Sequence, residues 1–364
     1  MVRSGTMKEA LVRKGTKVNI VDSPIPQLPS PDHVLIRIVV SGSNPKDWKL
    51  PDIVPSEKGT NEGDDIAGIV EEVGDNVYEF KPGDRVAAFH EMRTPAGSYA
   101  EYGVAWAHTT FHIQKETSFE EAAALPLAAM TAAVGLYLRL KLPQPWSPEV
   151  PSQPEIPLII YGASSSVGIY ALQFALRSNI HPILCVAGNA KDYVEGFIDK
   201  SKGDVVIDYR EGDDAVVEKL KQALKGKPPV RHVLDAVSHG SSITNIARVF
   251  AEQQDAQQSG KAKGHATFVL SGEKEGLPEG VDQSITMVGT VHKDSRDFGF
   301  VYFRYIARGL REGWFKSQRT EVVPGGLAGI EGALQNLKAG KASATKYVFR
   351  IWETEGARNG LTAV

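Results

Sequence analysis

The sequence has a single cysteine, Cys185, among its 364 residues. That excludes an intramolecular disulfide and a cysteine-built metal cage. Cys185 lies in an apolar, strand-like run and reads as a small buried hydrophobe rather than a nucleophile. No window approaches the ~20 apolar residues that span a bilayer, and Met1 to Thr16 lacks the continuous apolar stretch of a signal peptide. A cytoplasmic protein without membrane contact is expected. A dominant charge sign is missing too: the formal net charge is −3, and the basic run Lys219 to Lys227 is interrupted by apolar residues. This argues against a nucleic-acid partner and for a small-molecule one.

Apolar residues make up 42% and charged residues 23% of a chain too long for one ordinary core, so two domains are expected. From Met7 to about Ala124, short apolar or alternating runs (Lys8 to Val12, His33 to Val40, Ile66 to Val73, Arg85 to Phe89, Gly97 to Val104) are separated by Pro, Gly, Asn and Asp clusters, which predicts a β-rich part. Pro24, Pro26, Pro29 and Pro31 predict an extended connection. Glu120 to Leu140 is alanine-rich and helical in character, broken near Pro126, and leads into a Pro-rich loop from Leu142 to Pro157. Thereafter strand candidates (Leu158–Tyr161, Pro182–Val186, Val205–Asp208, His232–Ala236, Ala266–Leu270, Ile285–Thr290) alternate with helical segments, the pattern of a doubly wound parallel sheet. The polar tract Glu252 to Gly264 reads as a surface insertion, and Lys346 to Ile351 as a late strand.

The stretch Leu158 to Arg177 reads as strand, tight turn and helix, with Gly162, Ser164, Ser165, Ser166, Val167 and Gly168 at the turn. The first-turn amides of such a helix have no internal partner, and small side chains let phosphates approach them. The usual G-x-G-x-x-G is incomplete, so dinucleotide binding and an ordinary strand-to-helix turn are both open on these residues alone.

Several motifs then fall in order: Asn44-Pro45-Lys46-Asp47, Gly63-Asp64-Asp65-Ile66-Ala67-Gly68, Lys81-Pro82-Gly83-Asp84-Arg85-Val86, Gly97-Ser98-Tyr99-Ala100-Glu101-Tyr102 and Ala122-Ala123-Ala124-Leu125-Pro126 with Thr131. With them the chain resembles the medium-chain dehydrogenase/reductase superfamily. The likeness is to its zinc-free quinone oxidoreductase and enoyl reductase branch, and within that to fungal enoyl reductases acting in trans with polyketide synthases. The resemblance implies an α/β protein: a GroES-like β-barrel substrate domain over 1–125, a Rossmann cofactor domain over 126–297, and a return to the first domain over 298–364, with the active site in the cleft between domains. Zinc-dependent relatives carry a cysteine where this chain has Asn44 and a histidine where it has Asp64, which implies a metal-free site here. His90, His108 and His112 have no metal-ligand spacing and read as surface or loop residues.

The resemblance implies transfer of hydride from NADPH to the β-carbon of an enone, enoyl thioester or quinone. At the end of the second Rossmann strand no Asp or Glu awaits a ribose; Asn189 and Lys191 stand there, and Tyr209 and Arg210 follow the next strand. Ser164, Ser165, Ser166, Val167, Asn189, Lys191, Tyr209, Asp235 and Leu270 are therefore the expected cofactor residues. Lys49 is expected as cofactor positioner or donor, Asn44 as a cleft donor and Thr131 beside the nicotinamide amide. Trp48 and Lys49 stand where some fatty-acid enoyl reductases keep an acid tyrosine; Tyr99, Tyr102 and Tyr137 are the candidate replacements. Reduction of an aldehyde without zinc, and a non-redox role on the same fold, are the competing readings. A free or carrier-protein-bound substrate, and a monomer or a homodimer formed on an apolar Ile285–Thr290 edge, are both compatible with the sequence.

Overall fold

The computed structural model describes residues 5–147, 155–256, 264–272 and 274–357. Contacts divide the chain into two units, one of Met1–Met130 with Gly289–Val364 and one of Thr131–Val288. The second lies a little inside the 126–297 expected from sequence. Part of the Leu142–Pro157 loop and most of the Glu252–Gly264 tract lie outside the described residues.

In chain order the first unit begins with β1 (Thr6–Arg13), β2 (Lys17–Pro24) and β3 (His33–Gly42). Next come α1 (Lys46–Ile53), β4 (Asp65–Val73), β5 (Arg85–Phe89), β6 (Tyr102–Trp106), β7 (Thr110–His112), α2 (Phe119–Ala123) and the start of α3 (Pro126–Ala133). The second unit follows with β8 (Leu158–Tyr161), α4 (Ser166–Arg177), β9 (Ile183–Ala187), α5 (Lys191–Glu195), β10 (Val205–Asp208) and α6 (Asp213–Leu224). It closes with β11 (His232–Asp235), α7 (Ser241–Ala256), β12 (Gly264–Phe268) and β13 (Val281–Ile285). The chain then returns to the first unit with α8 (Arg296–Glu312), β14 (Arg319–Val322), α9 (Ile330–Lys338) and β15 (Thr345–Arg350).

In the first unit β1 and β2 form a hairpin, and a seven-stranded sheet runs β14-β15-β3-β4-β5-β7 with β6 also paired to β3. The hairpin is tied on by isolated bridges, Glu9 to Ala100 and Val12 to Thr60. Val34, Ile36 and Ile38 share one face of β3 and meet Ile66, Val70, Val86 and Phe349 in the core, while Leu35 and Val39 on the opposite face are buried as well, so the strand is central rather than half-exposed. The expected strand Gly97–Val104 begins only at Tyr102. Gly97 and Ser98 instead pass close against Gly63: the Ser98 amide donates to the Gly63 carbonyl oxygen at 2.7 Å, and a Cβ at Gly97 would lie 2.6 Å from that oxygen.

The second unit is a six-stranded sheet ordered β10-β9-β8-β11-β12-β13, parallel at every pairing. The order reverses beside β8, which places the β8–α4 turn at the switch point where such sheets bind ligands. The sixth strand is Val281–Ile285, not Ile285–Thr290; Val288–His292 is a 3-10 helix. Asp282 and Gln283 are exposed on that edge strand, so the apolar edge expected for a dimer is absent there.

Candidate active site

Asn44 ends the crossing from β3 into α1, and its side chain enters a buried ionic group. Its Nδ2 donates to Asp65 Oδ2 at 2.8 Å, and Lys346 Nζ donates to Asn44 Oδ1 at 3.0 Å and to Asp65 Oδ2 at 2.5 Å. The other oxygen of Asp65 accepts from the Leu127 amide at 2.7 Å. Asp65 and Lys346 are buried, and in such a setting a pair holds only when the remaining lone pairs are also served.

A second ionic group adjoins it. Lys46 Nζ lies 2.5 Å from Asp64 Oδ2, 3.0 Å from Asp47 Oδ1 and 3.7 Å from Glu62 Oε2, and donates to the Glu62 carbonyl oxygen at 2.5 Å. Asp47 Oδ2 accepts from the Asn44 amide at 2.7 Å and from the Tyr99 hydroxyl at 2.6 Å. One ammonium thus faces three carboxylates. Burial lifts the Asp64 pKa to about 8, with Asp47 and Asp65 adding to the rise and Lys46 opposing it. Burial alone would lower the pKa of Lys46, but Asp47, Asp64 and Glu62 together raise it well above the ordinary lysine value.

Lys49, one turn along α1, is different. It is half-buried, and among the described residues its ammonium meets no carboxylate; it rests 5.4 Å from the Trp48 ring centroid. Burial lowers its pKa. Thr131 is buried on α3. Two of the tyrosines considered as acids are committed elsewhere: Tyr99 is fully buried on Asp47, and Tyr137 donates to the Phe174 carbonyl oxygen at 3.1 Å. His90 corrects the surface assignment. It is buried, with Nδ1 2.7 Å from the Val104 carbonyl oxygen.

In the second unit, Ser165 caps α4 by accepting from the Gly168 amide at 3.1 Å. Ser164, Ser166 and Val167 are partly exposed beside it, and the first-turn amides of a helix have no intrahelical partner. Gly168 is held against the turn, since a Cβ there would lie 2.3 Å from the Gly162 carbonyl oxygen. Past β9, Asn189 accepts from Arg210 NH1, while Arg210 Nε donates to Asp208 Oδ1 at 2.8 Å. The Tyr209 ring lies against Gly188, leaving no room for a Cβ, and Lys191 is partly exposed nearby in sequence. Arg210 holds Asp208 well below the usual carboxylate range. Asp208 is thus a carboxylate that sequence reasoning passed over, although it stands directly before Tyr209 and Arg210.

Asp235 ends β11 and is spent on local structure. Its Oδ1 accepts from the Val237 and Ser238 amides, each at 2.8 Å, and its Oδ2 from Ser242 Oγ at 2.7 Å. These bonds give it a structural role at the strand end, one of the two roles its place in the family pattern implies, the other being at the cofactor's edge. Leu270 follows β12 and is partly exposed.

Residues 30–115 match the alcohol dehydrogenase GroES-like domain. The trans-enoyl reductase fsr4 of Gibberella fujikuroi is 47% identical over 327 residues, covering 90% of this chain and 93% of that protein. The chain belongs to the medium-chain dehydrogenase/reductase family. It is an α/β oxidoreductase of that family, with a GroES-like domain and a Rossmann-type sheet, and the family implies a nicotinamide cofactor. The trans-enoyl reductase resD of Aspergillus sclerotiorum is 31% identical over 363 residues, covering 93% of this chain and 98% of that one. Two solved structures share the fold: CurK enoyl reductase, at 20% identity and a TM-score of 0.71 over 94% of this chain and 99% of that one, and the quinone oxidoreductase of Pseudomonas syringae pv. Tomato DC3000, at 22% and 0.70 over 95% and 100%. No described helix is long and apolar enough to cross a membrane.

Proposed function

We propose that this medium-chain reductase uses NADPH, without a metal, to reduce the C=C bond of an enoyl thioester or related activated alkene. The observation that carries this reading is Lys49: a half-buried ammonium with no carboxylate partner among the described residues, one helical turn beyond the Asn44-Pro45 crossing. The relatives named trans-enoyl reductases support the substrate class.

The residues of the β8–α4 turn suit the pyrophosphate of a dinucleotide, since small side chains front the amide end of a long helix. Asn189, Lys191, Tyr209 and Arg210 would meet the adenosine end; Arg210 already neutralises Asp208, which leaves Lys191 as the cation that favours a 2′-phosphate. When bound, NADPH supplies a hydride for the β-carbon of the alkene. Negative charge then collects on the substrate carbonyl oxygen, and a donor fixed in advance at that oxygen lowers the barrier. In this reading Lys49 is that donor through one N–H of its ammonium, and its lowered pKa eases release of another of its protons to the α-carbon of the enolate, leaving a neutral amine. Asn44 becomes a positioning residue rather than the expected donor, because its amide already serves Asp65 and Lys346. No metal is needed: Asn44 offers an amide where zinc wants a thiolate, and Lys46 already sets a cation against Asp64.

The test is direct titration with NADPH and NADH, followed by loss of nicotinamide absorbance with enoyl thioesters, enones, quinones and aldehydes, with and without a chelator. Tighter NADPH binding and chelator-resistant turnover of alkenes alone are expected; turnover of aldehydes alone would overturn the reading. Lys49→Ala should lose about 10²–10⁴ in kcat with NADPH still bound. Weaker NADPH binding with kcat retained would instead make Lys49 a cofactor positioner.

A further inference from the structure

A groove of about 760 Å³ opens in the first unit between the β1–β2 hairpin, the end of α1 and the loop before Gly97. Its walls are mainly apolar, with Leu11, Ile25, Pro26, Leu50 and Val54 among them. This size and lining are those of a small-molecule site. None of the residues assigned above to catalysis or cofactor lies in its wall, although Leu50 follows Lys49 directly.

The charged side chains of the wall are Glu9, Glu62 and Arg93, and the first two are already served. Glu9 accepts from Ser23 Oγ at 2.5 Å and from Asn61 Nδ2 at 3.1 Å; Glu62 accepts from Thr60 Oγ1 at 2.5 Å and lies 3.7 Å from Lys46 Nζ. Arg93 is exposed, and among the described residues its guanidinium has no partner. Its backbone is held at φ 67°, and Ala96 in the same loop at φ 68°. Non-glycine residues in this region cost energy and collect where a ligand is gripped. The free chemistry of the groove is therefore one cation at the edge of an apolar trough.

We infer that this groove binds an apolar acyl chain of medium length, with Arg93 pairing to an anionic group at the chain's exposed end. That group is a carboxylate or the phosphate of a pantetheine arm. The choice of an acyl chain rests on the enoyl reductase reading; the groove's affinity for an apolar anion does not. An apolar wall with satisfied carboxylates rewards methylenes, roughly threefold to fourfold for each one buried, and gives little to chain hydroxyls.

Calorimetric titration of the full chain with butanoate, decanoate, methyl decanoate and decanoyl pantetheine 4′-phosphate tests this without turnover. Decanoate or the pantetheine conjugate should bind at least tenfold more tightly than butanoate and methyl decanoate, and the tighter of the two names the source of the anion. Val54→Trp at the end of α1 and Ile25→Trp after β2, which fill the groove from two different elements, should each weaken that binding about tenfold or more. Arg93→Gln should weaken it several-fold and erase its salt dependence. Binding that ignores chain length, or that survives both tryptophan variants, overturns the groove; equal binding of methyl decanoate and decanoate overturns the role of Arg93. A parallel assay of NADPH-driven reduction of a 2-butenoyl thioester separates the two readings. If it fails while decanoate binds as expected, the reductase assignment falls and the groove stands.

Discussion

At Asp64 the chain holds a buried carboxyl against one ammonium that two other carboxylates also claim, and the consequence is a proton retained near neutrality. The folded-state pKa of about 8 lies above the ordinary 3.8. Between those values the folded protein carries a proton that the unfolded chain has lost, so this residue makes stability fall as pH rises across that window, and level off above it. Asp64→Asn replaces the neutral acid with a neutral amide. Relative to wild type, the variant should gain stability steadily from about pH 4 to pH 8; urea midpoints across that range check it, and a constant difference would mean the carboxyl is ionised throughout. Nothing in the sequence announced this, because burial of a charge depends on which strands close over it. Lys49 and Asn44 were legible from their motif. Their surroundings were not: Lys46, Asp47 and Tyr99 lie in plain motifs, yet only the fold brings Tyr99 OH within 2.6 Å of Asp47. His90 shows the converse: it follows the strand as a loop residue, as its sequence suggests, but two polar partners let that loop position sit buried at 2% exposure.

The β8–turn–α4 element was the most legible part of the chain, because a four-residue apolar strand and a twelve-residue, largely apolar helix bracket a run of small residues. Its strictest requirement is Gly168, where the helix start meets backbone rather than a flexible side chain. Gly168→Ala must push the helix away from the Gly162 carbonyl oxygen, a strain on the order of 1–3 kcal/mol. Loss of nicotinamide-cofactor affinity should exceed the loss of stability, because the same shift displaces the helix amides; isothermal titration beside thermal unfolding tests this. Equal and small effects would mean the turn relaxes freely. β13 was misplaced for a physical reason: Ile285–Thr290 is the more apolar run, but an edge strand with one open side tolerates Asp282 and Gln283, and apolar Val288 and Val291 are buried in the following 3-10 turn instead. Periodicity does not distinguish these when runs are so short. β2 and β7 escaped for a similar reason, one having no buried position to mark a face and the other being only three residues long.

Across the whole molecule, the second unit is one continuous segment, whereas the first is assembled from both flanks of it. The return was expected from family likeness alone; its chemistry was not. β15 pairs antiparallel with β3, Val348 opposite Gly42, and carries Lys346 into the group formed by Asn44 and Asp65. Lys346 is 2% exposed and Asp65 0%. Removing either charge alone leaves the other buried without compensation, and that costs about 3–5 kcal/mol. Lys346→Met should therefore lower unfolding stability by that amount, and Asp65→Asn by a comparable one. The double variant should recover most of the loss, since an amide and a thioether leave no charge to strand. Denaturant titration of the four proteins gives the coupling directly. Additive losses would place the importance of Lys346 in its packing instead. Recovery in the double variant, with kcat still depressed, would separate two duties of one contact: closing the first unit across 281 positions of chain, and holding Asn44 at the entry to α1.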